Sequence, residues 1–407
     1  MSTKTTYKQT ELGLIPEDWE VKKFNKFSKF YSGGTPLTSK SEYYGGEIPF
    51  IKSGEIYYDR TEQFLTQEGL NNSSAKLVYR GDLLYALYGA NSGEVAISQL
   101  EGAINQAILC IQQNKDEAET IYLYNYLKLE KSNIINKFLQ GGQGNLSADI
   151  IKNLQIPLPP LPEQKKIADC LSTWDSAIEK QSALINALTD RKKALMQQLL
   201  TGKKRLPGFS GEWKEVSLIE LADFRRGSFP QPYGLPEWYD NEYGEPFIQV
   251  YDVGDNFNLK PTTKSKISEL AQVQSVFIKK GTLIVTLQGS IGKVAITNYD
   301  AYIDRTLLLF SSFKMKVDIY FIMYQIHNLF NIEKEKAPGG IIKTITKEVL
   351  SNFKIKLPSF EEQTAIAEIL ATADRELQLQ KEKLAQLQTQ KKGLMQVLLT
   401  GKKRLIN

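Results

Sequence analysis

Between positions 163 and 205, apolar residues recur at alternating steps of four and three. They stand at Ile167, Leu171, Trp174, Ile178, Ile185, Leu188, Leu195 and Leu199, with Gln181 and Lys192 filling the remaining places. That spacing predicts one long helix with a narrow apolar seam of the coiled-coil kind. The series returns at Ile366, Leu370, Ala373, Leu377, Leu384, Leu387, Leu394 and Leu398, interrupted by Gln380 and Lys391 at the equivalent places. The likeness extends past the seam: Ile156 to Leu206 lies over Ile355 to Leu405 without a gap, with about half the residues identical. A match of that length marks an internal duplication. Both copies open on a Leu-Pro pair (Leu158-Pro159, Leu357-Pro358) and a Glu-Gln pair (Glu163-Gln164, Glu362-Gln363). Both close on Leu-Leu-Thr-Gly-Lys-Lys-Arg-Leu, so that proline marks the helix start and glycine its stop.

A helix of about 38 residues is about 57 Å long, and so narrow a seam needs a partner helix to bury it. The other copy is the expected partner. Polar residues on a seam lower stability but fix register, so Gln181, Gln380, Lys192 and Lys391 should disfavour slipped pairings. Antiparallel pairing in full overlap is expected to set Lys391 against Trp174 and Lys192 against Ala373.

Outside the long helices the pattern is short and β-rich. Glu17 to Ile111 alternates turns with apolar runs such as Leu83 to Leu87 and Val95 to Ile97, which predict strands. Thr120 to Leu139 changes to helical spacing, Gly141-Gly142-Gln143-Gly144 stops it, and a loop and strand over Asn145 to Pro157 lead into the first long helix. A Gly- and Pro-bearing linker, Gly202 to Gly211, then opens a second segment that is a weaker echo of the first. Leu283 to Leu287, Val294 to Ile296, Pro246-Phe247-Ile248 and the helical stretch Ile319 to Phe330 echo their counterparts. The expected division is a globular domain over 1–158, a helix over 159–201, a linker over 202–212, a second globular domain over 213–357, and the second helix with its tail over 358–407. A pseudo-twofold repeat of this kind places the C-terminus near Leu14 to Trp19.

Composition narrows the chemistry. Two cysteines, Cys110 and Cys170, and one histidine, His327, make neither a zinc set nor a disulfide framework. A reducing compartment is expected, and with no apolar leader and no run of 18 apolar residues, a soluble cytoplasmic protein away from membranes. A net charge of +5 permits a nucleic-acid partner without requiring one. Gly289-Ser290-Ile291-Gly292-Lys293 has the wrong spacing for a phosphate loop and reads as a strand turn. Asp18 with Glu20-Val21-Lys22 has the residue types of a nuclease site, yet its carboxylates are almost adjacent and unsupported by a second cluster. A base methyltransferase would need an Asn- or Asp-Pro-Pro-aromatic loop, and the sole Pro-Pro pair, Pro159-Pro160, precedes a helix. His327 reads as a helix-surface or packing residue, and both cysteines as inert. No catalytic or metal-binding residue is expected.

Duplicated helices with this punctuation, the run Ile156 to Gln164 and its second copy Ile355 to Gln363, and Gly33-Gly34-Thr35-Pro36 together resemble the specificity subunits of type I restriction-modification systems, over essentially the whole chain. The resemblance implies an α+β fold: two target-recognition domains separated by two long antiparallel coiled-coil helices. Each domain would read one half of a bipartite, asymmetric site in double-stranded DNA. The helices would set the spacer and dock two modification subunits, which carry S-adenosylmethionine and methylate adenine N6. Restriction subunits would cleave DNA with ATP and Mg. The specificity subunit itself would hold no cofactor and supply no chemistry. The second domain departs from the motif, with Gly227-Ser228-Phe229-Pro230 in place of Gly-Gly-Thr-Pro.

Base edges are read by Arg or Lys at guanine and by Asn or Gln at adenine. Loop positions of those types are Lys52, Asn91, Asn105, Gln106, Gln143 and Asn145 in the first domain. In the second they are Arg225, Arg226, Gln231, Gln249, Arg305 and Lys343. Asn105-Gln106 and Asp304-Arg305 stand out because they occupy equivalent points before a shared strand yet differ in type. The repeated Gly-Lys-Lys-Arg could touch phosphates, but is expected to cap its helix. A coiled-coil adaptor with protein-binding heads is the rival reading, and salt-sensitive DNA binding separates the two.

Overall fold

The computed structural model describes residues 6–138, 145–336 and 350–405. The chain divides into two units, Met1–Ser182 with Glu382–Asn407, and Ala183–Lys381.

In the first unit, β1 (Tyr7–Thr10) and β2 (Gly13–Pro16) form an antiparallel hairpin. Next come β3 (Glu20–Lys23), β4 (Ser28–Ser32), β5 (Tyr44–Ile51), β6 (Phe64–Leu65), the short α1 (Gln67–Asn71) and β7 (Lys76–Val78). Then follow β8 (Leu83–Ala86), β9 (Val95–Ile97), β10 (Gly102–Ile104) and β11 (Ile108–Gln113). Helix α2 (Thr120–Phe138), α3 (Ala148–Lys152) and β12 (Gln155–Leu158) lead to the long α4 (Leu161–Leu199). Two four-stranded sheets, ordered β6-β5-β10-β7 and β4-β11-β8-β9, make the domain, and β12 pairs with β3. Strand β8 is buried throughout because its alternating side chains enter two different cores. Leu83 and Tyr85 pack with α2, and Leu84 and Ala86 with Ile51, Val78 and Ile104 of the other sheet.

The second unit repeats this topology. Its strands are β13 (Lys214–Ser217), β14 (Ala222–Arg226), β15 (Glu245–Ile248), β16 (Ser265–Ile267) and β17 (Val276–Ile278), with short helices α5 (Leu218–Leu221) and α6 (Glu269–Gln272) between. They continue with β18 (Leu283–Thr286), β19 (Val294–Ile296), β20 (Ala301–Ile303), β21 (Leu307–Phe313), α7 (Ile319–Lys336) and β22 (Lys354–Leu357), before the second long helix, α8 (Phe360–Leu398). The sheet orders are β16-β15-β20-β17 and β14-β21-β18-β19, with β13 on β22. The weak echo in sequence is therefore a close repeat in strand order. The hairpin β1–β2 has no counterpart among the described residues of this unit.

Every seam residue of both long helices is buried or half-buried, whereas Leu379, off the seam, is 63% exposed. Within each unit the helix segments run antiparallel. In the first, Asp175 pairs with Lys391 and Glu163 with Arg404; in the second, Lys192 pairs with Asp374 and Arg205 with Glu362. The two lysines thus meet the residue after the ones expected from the seam, Asp175 rather than Trp174 and Asp374 rather than Ala373. Their ammonium groups leave the apolar line for the carboxylate beside it.

The repeated punctuation has a physical role in each unit. Gln164 donates to Pro159 O and Glu117 O and accepts from Glu119 N–H, which ties the start of α4 to the segment that opens α2. Gln363 does the same with Pro358 O and Asp318 N–H. The buried Glu163 takes two 2.7 Å hydrogen bonds from Arg404 and one of 3.1 Å from Trp19 Nε1, and Asp18 accepts from the same guanidinium. Glu362, Arg205 and Trp213 repeat the arrangement. The last described residues, Gly401 to Leu405, therefore lie beside Pro16 to Trp19, as the repeat leads one to expect. A Cβ on Gly401 would stand 2.3 Å from Pro16 Cδ.

The helix stop is made by backbone, with Gly202 and Gly401 at φ +72° and +73°. Lys204 N–H donates to Gln198 O and Lys403 N–H to Val397 O. The arginines expected to cap their own helices instead bind the glutamate that opens the other one.

Candidate nucleic-acid interface

Strands β5 and β10 are a parallel pair, Phe50 beside Ala103 and Ile51 beside Ile104, so the chain leaves both at the same end. Asn105 N–H donates to Ile51 O, which puts the loop after β10 against the loop after β5. Gly34 N–H donates to Ile104 O, Leu87 N–H to Ala107 O and Leu146 N–H to Leu87 O. Five segments of the first domain, widely spaced in sequence, converge there. The first glycine of the Gly-Gly-Thr-Pro motif is required by this approach: a Cβ on Gly33 would lie 1.7 Å from Ile104 O.

The second domain is stitched the same way. β15 and β20 are parallel, Asp304 N–H donates to Ile248 O, Ser228 N–H to Ile303 O and Leu287 N–H to Thr306 O. A Cβ on Gly227 would lie 2.2 Å from Ile303 O. The apparent departure from the motif therefore keeps the one residue that the geometry demands. After Gly227 the loop carries Phe229, buried and stacked on Phe247 at 4.5 Å, and Tyr233, packed on Phe229 at 4.9 Å.

The structure brings most of the sequence candidates to these two loop clusters. Lys52, half-buried, follows β5, and its N–H is held by Glu55. Asn91 is half-buried in the turn after β8, 3.5 Å from where a Cβ on Gly54 would stand. Asn105 is half-buried, Gln106 and Asn145 are exposed, and Asn145 adjoins the Leu146 bond to Leu87. In the second domain Gln249 and the exposed Arg305 line one cavity of about 270 Å³ with Tyr233, Tyr251 and Thr306. Gln231 is exposed on the loop that carries Tyr233. Arg225 and Arg226 are not loop residues: both project from β14, an edge strand, opposite Leu309 and Leu308. Charge on an edge strand discourages pairing with another chain, and a charged pair in sequence reads as a turn for that reason. Gln143 and Lys343 lie outside the described residues.

Sequence reasoning did not single out Thr35 or Tyr251. Thr35 donates to Gln106 Oε1 at 2.7 Å, and the Tyr251 hydroxyl donates to Gln249 Oε1. The first depends on loops that meet only in the fold, whereas Tyr251 and Gln249 stand two residues apart in one turn. Beneath the second cluster sits Asp252, 1% exposed, which accepts from Gln249 and Lys264 N–H. Burial raises its carboxyl above the ordinary range against those bonds.

The rejected chemistries resolve into structural roles. Asp18 is an ion-pair partner of Arg404, whose guanidinium holds that carboxyl below its usual range. In the glycine turn after β18, a Cβ on Gly292 would collide with Phe330, and Lys293 pairs with Asp255 at 2.5 Å. His327 packs edge-on to Phe257, 5.0 Å between ring centres. Cys110 is buried, and burial pushes its thiol up to about 12. Among the described residues, no group of three or more His, Cys, Asp or Glu is placed to hold a metal ion. No helix there is long and apolar enough to cross a membrane.

Two loop clusters of one design, polar at their tips and joined in sequence to duplicated helices, define a protein with two similar globular domains. The family model for the type I restriction modification DNA specificity domain matches the chain twice, at residues 16–190 and 210–389. The chain belongs to that family. It is 28% identical to the type I restriction enzyme MjaVIII specificity subunit of Methanocaldococcus jannaschii, over 97% of this chain and 95% of that one. In fold it resembles the type I restriction-modification S subunit from M. genitalium, with a TM-score of 0.56 and 16% identity, covering 93% of this chain and 96% of that one. It also resembles a chain from a study of complex assembly and conformational transition of the type I restriction-modification system, with a TM-score of 0.64 and 20% identity, covering 96% and 99%. Its function is DNA sequence specificity.

Proposed function

We propose that residues 1–158 and 213–357 are two target-recognition domains, each reading one half of a bipartite, asymmetric site in double-stranded DNA. The helix over 159–201, followed by the linker 202–212, and the helix with its tail over 358–407 form a pair that would set the unread spacer and dock two modification subunits. The observation that carries this reading is the repeated loop cluster, with one backbone frame and different tip residues in the two domains. The side chains assigned to DNA are Lys52, Asn91, Asn105, Gln106, Gln143 and Asn145 in one half, and Gln231, Gln249, Arg305 and Lys343 in the other. Half-sites read by paired modules lie about one helical turn of DNA, some 34 Å, apart, which a rod of two long helices can span.

Support for two identical partners comes from a second repeated feature. A groove of about 540 Å³ lies between α2 and α4, lined by Tyr57, Tyr124, Ser172, Asp175, Ile178 and Glu179. The equivalent groove between α7 and α8, about 760 Å³, is lined among others by Phe257, Met323, Tyr324, Ala371, Asp374 and Arg375. Modification subunits bearing S-adenosylmethionine would methylate adenine N6, and restriction subunits would cleave DNA with ATP and Mg. Replacing Trp213 to Lys356 by the same segment of a relative tests the division of labour. The methylated motif should change in one half only, and a change in both halves contradicts it.

A further inference from the structure

The two domains share a three-residue turn that leads from β10 to β11 and from β20 to β21. In the first, Asn105 Oδ1 accepts from Ala107 N–H at 3.1 Å. In the second, Asp304 Oδ1 accepts from Thr306 N–H at 2.7 Å and from its hydroxyl at 2.5 Å. These side chains close the turn on itself, as Asn and Asp commonly do, and the central residue is left pointing outward. That residue is Gln106 in one domain and Arg305 in the other, and both are exposed.

Each central residue is then steadied by the loop that packs on the turn through Gly33 or Gly227. Thr35 Oγ1 donates to Gln106 Oε1 at 2.7 Å. The Arg305 guanidinium lies 5.0 Å over the Tyr233 ring, and Tyr233 rests on the buried Phe229. One frame thus presents a different steadied side chain in each domain, as two readers of unlike half-sites require.

We propose that these two residues are the principal base readers: Arg305 takes a guanine in the second domain's half-site, and Gln106 an adenine in the first domain's. The inference rests on the DNA-reading role proposed above. A guanidinium offers two parallel N–H groups that match guanine O6 and N7, and a carboxamide offers one acceptor and one donor that match adenine N6–H and N7. Stacking on Tyr233 occupies the face of the guanidinium and leaves its edge N–H groups for the base. The Thr35 hydroxyl uses one of two lone pairs on Gln106 Oε1 and holds the amide in place. The second lone pair and the Nε2 hydrogens serve adenine.

The test uses the full chain assembled with modification subunits, on duplexes carrying its own site. Guanines of the second half-site are replaced singly by 7-deazaguanine, and adenines of the first by 7-deazaadenine, each of which lacks the N7 acceptor. One replacement in each half should weaken binding by about tenfold. Arg305→Ala should remove the sensitivity at guanine alone, and Gln106→Ala that at adenine alone. Sensitivity absent in the wild-type complex, or unaltered by these variants, overturns the assignment and leaves DNA reading intact. A wild-type complex with no sequence preference overturns the DNA reading itself. A misfolded variant would lose all duplexes alike, so Arg305→Gln and Gln106→Arg are compared as well. They should move the preferred base at the same positions from guanine to adenine and from adenine to guanine, and unchanged preferences contradict the assignment.

Discussion

His327 shows how a single residue can carry a role that its type does not announce. It sits on α7 with its Nε2 3.0 Å from Asn331 Nδ2, and its Nδ1 is buried without a partner. Burial lowers its pKa to about 4, and the Lys192 and Lys334 ammonium groups push the same way against a weaker pull from Asp374. The folded chain refuses a proton that the unfolded chain accepts from about pH 6.5 downward. Stability is therefore intact above that pH and is lost as pH falls toward 4, by on the order of 3 kcal/mol in full. Denaturant unfolding at pH 7 and pH 5 should show a smaller loss for His327→Gln than for the wild-type chain. Parallel losses would remove His327 from the account. From the sequence it was legible as a helix-surface or packing residue, but Lys192 and Asp374 reach it from α4 and α8 and could not be read locally. Glu163 is similar. The Glu-Gln pair was visible as punctuation, whereas its partner Arg404 stands at the far end of the chain.

At the scale of elements, the seam was the most legible feature, because a heptad pattern depends only on neighbours three and four residues away. Its ion pairs were less so, since a lysine on a long stem chooses among carboxylates on the facing helix. The two repeated pairs also differ in surroundings. Lys192 lies 5.0 Å over the Phe257 ring, and its partner Asp374 also accepts from the Tyr324 hydroxyl at 2.6 Å. Lys391 meets Asp175, whose side chain is 45% exposed and can return to water. Lys192→Ala should cost about 2 kcal/mol, because it leaves the partly buried Asp374 carboxylate without its cation. Lys391→Ala should cost nearer to about 1 kcal/mol. Thermal midpoints of the two variants would show the order, and a larger drop for Lys391→Ala would contradict it. The reading loops were the least legible elements: Arg225 and Arg226 have the composition of a loop yet lie on β14, where exposure rather than backbone turn explains their charge.

For the whole molecule, the duplication in sequence announced two similar parts, and the strand orders show how far the similarity goes. Sequence likeness between the globular domains is weak because their tips differ and their cores repack. The frame survives because the glycine approach, the parallel strand pair and the self-closed turn are backbone features. That division between a fixed frame and variable tips is what two readers of different half-sites need. The most direct measurement is base-resolution methylation mapping in a methylation-free host that expresses this chain with its modification subunit. The account predicts one bipartite motif, N6-methyladenine in both halves, and an unread spacer of fixed length between them. A continuous motif, or halves whose separation varies from site to site, would contradict it.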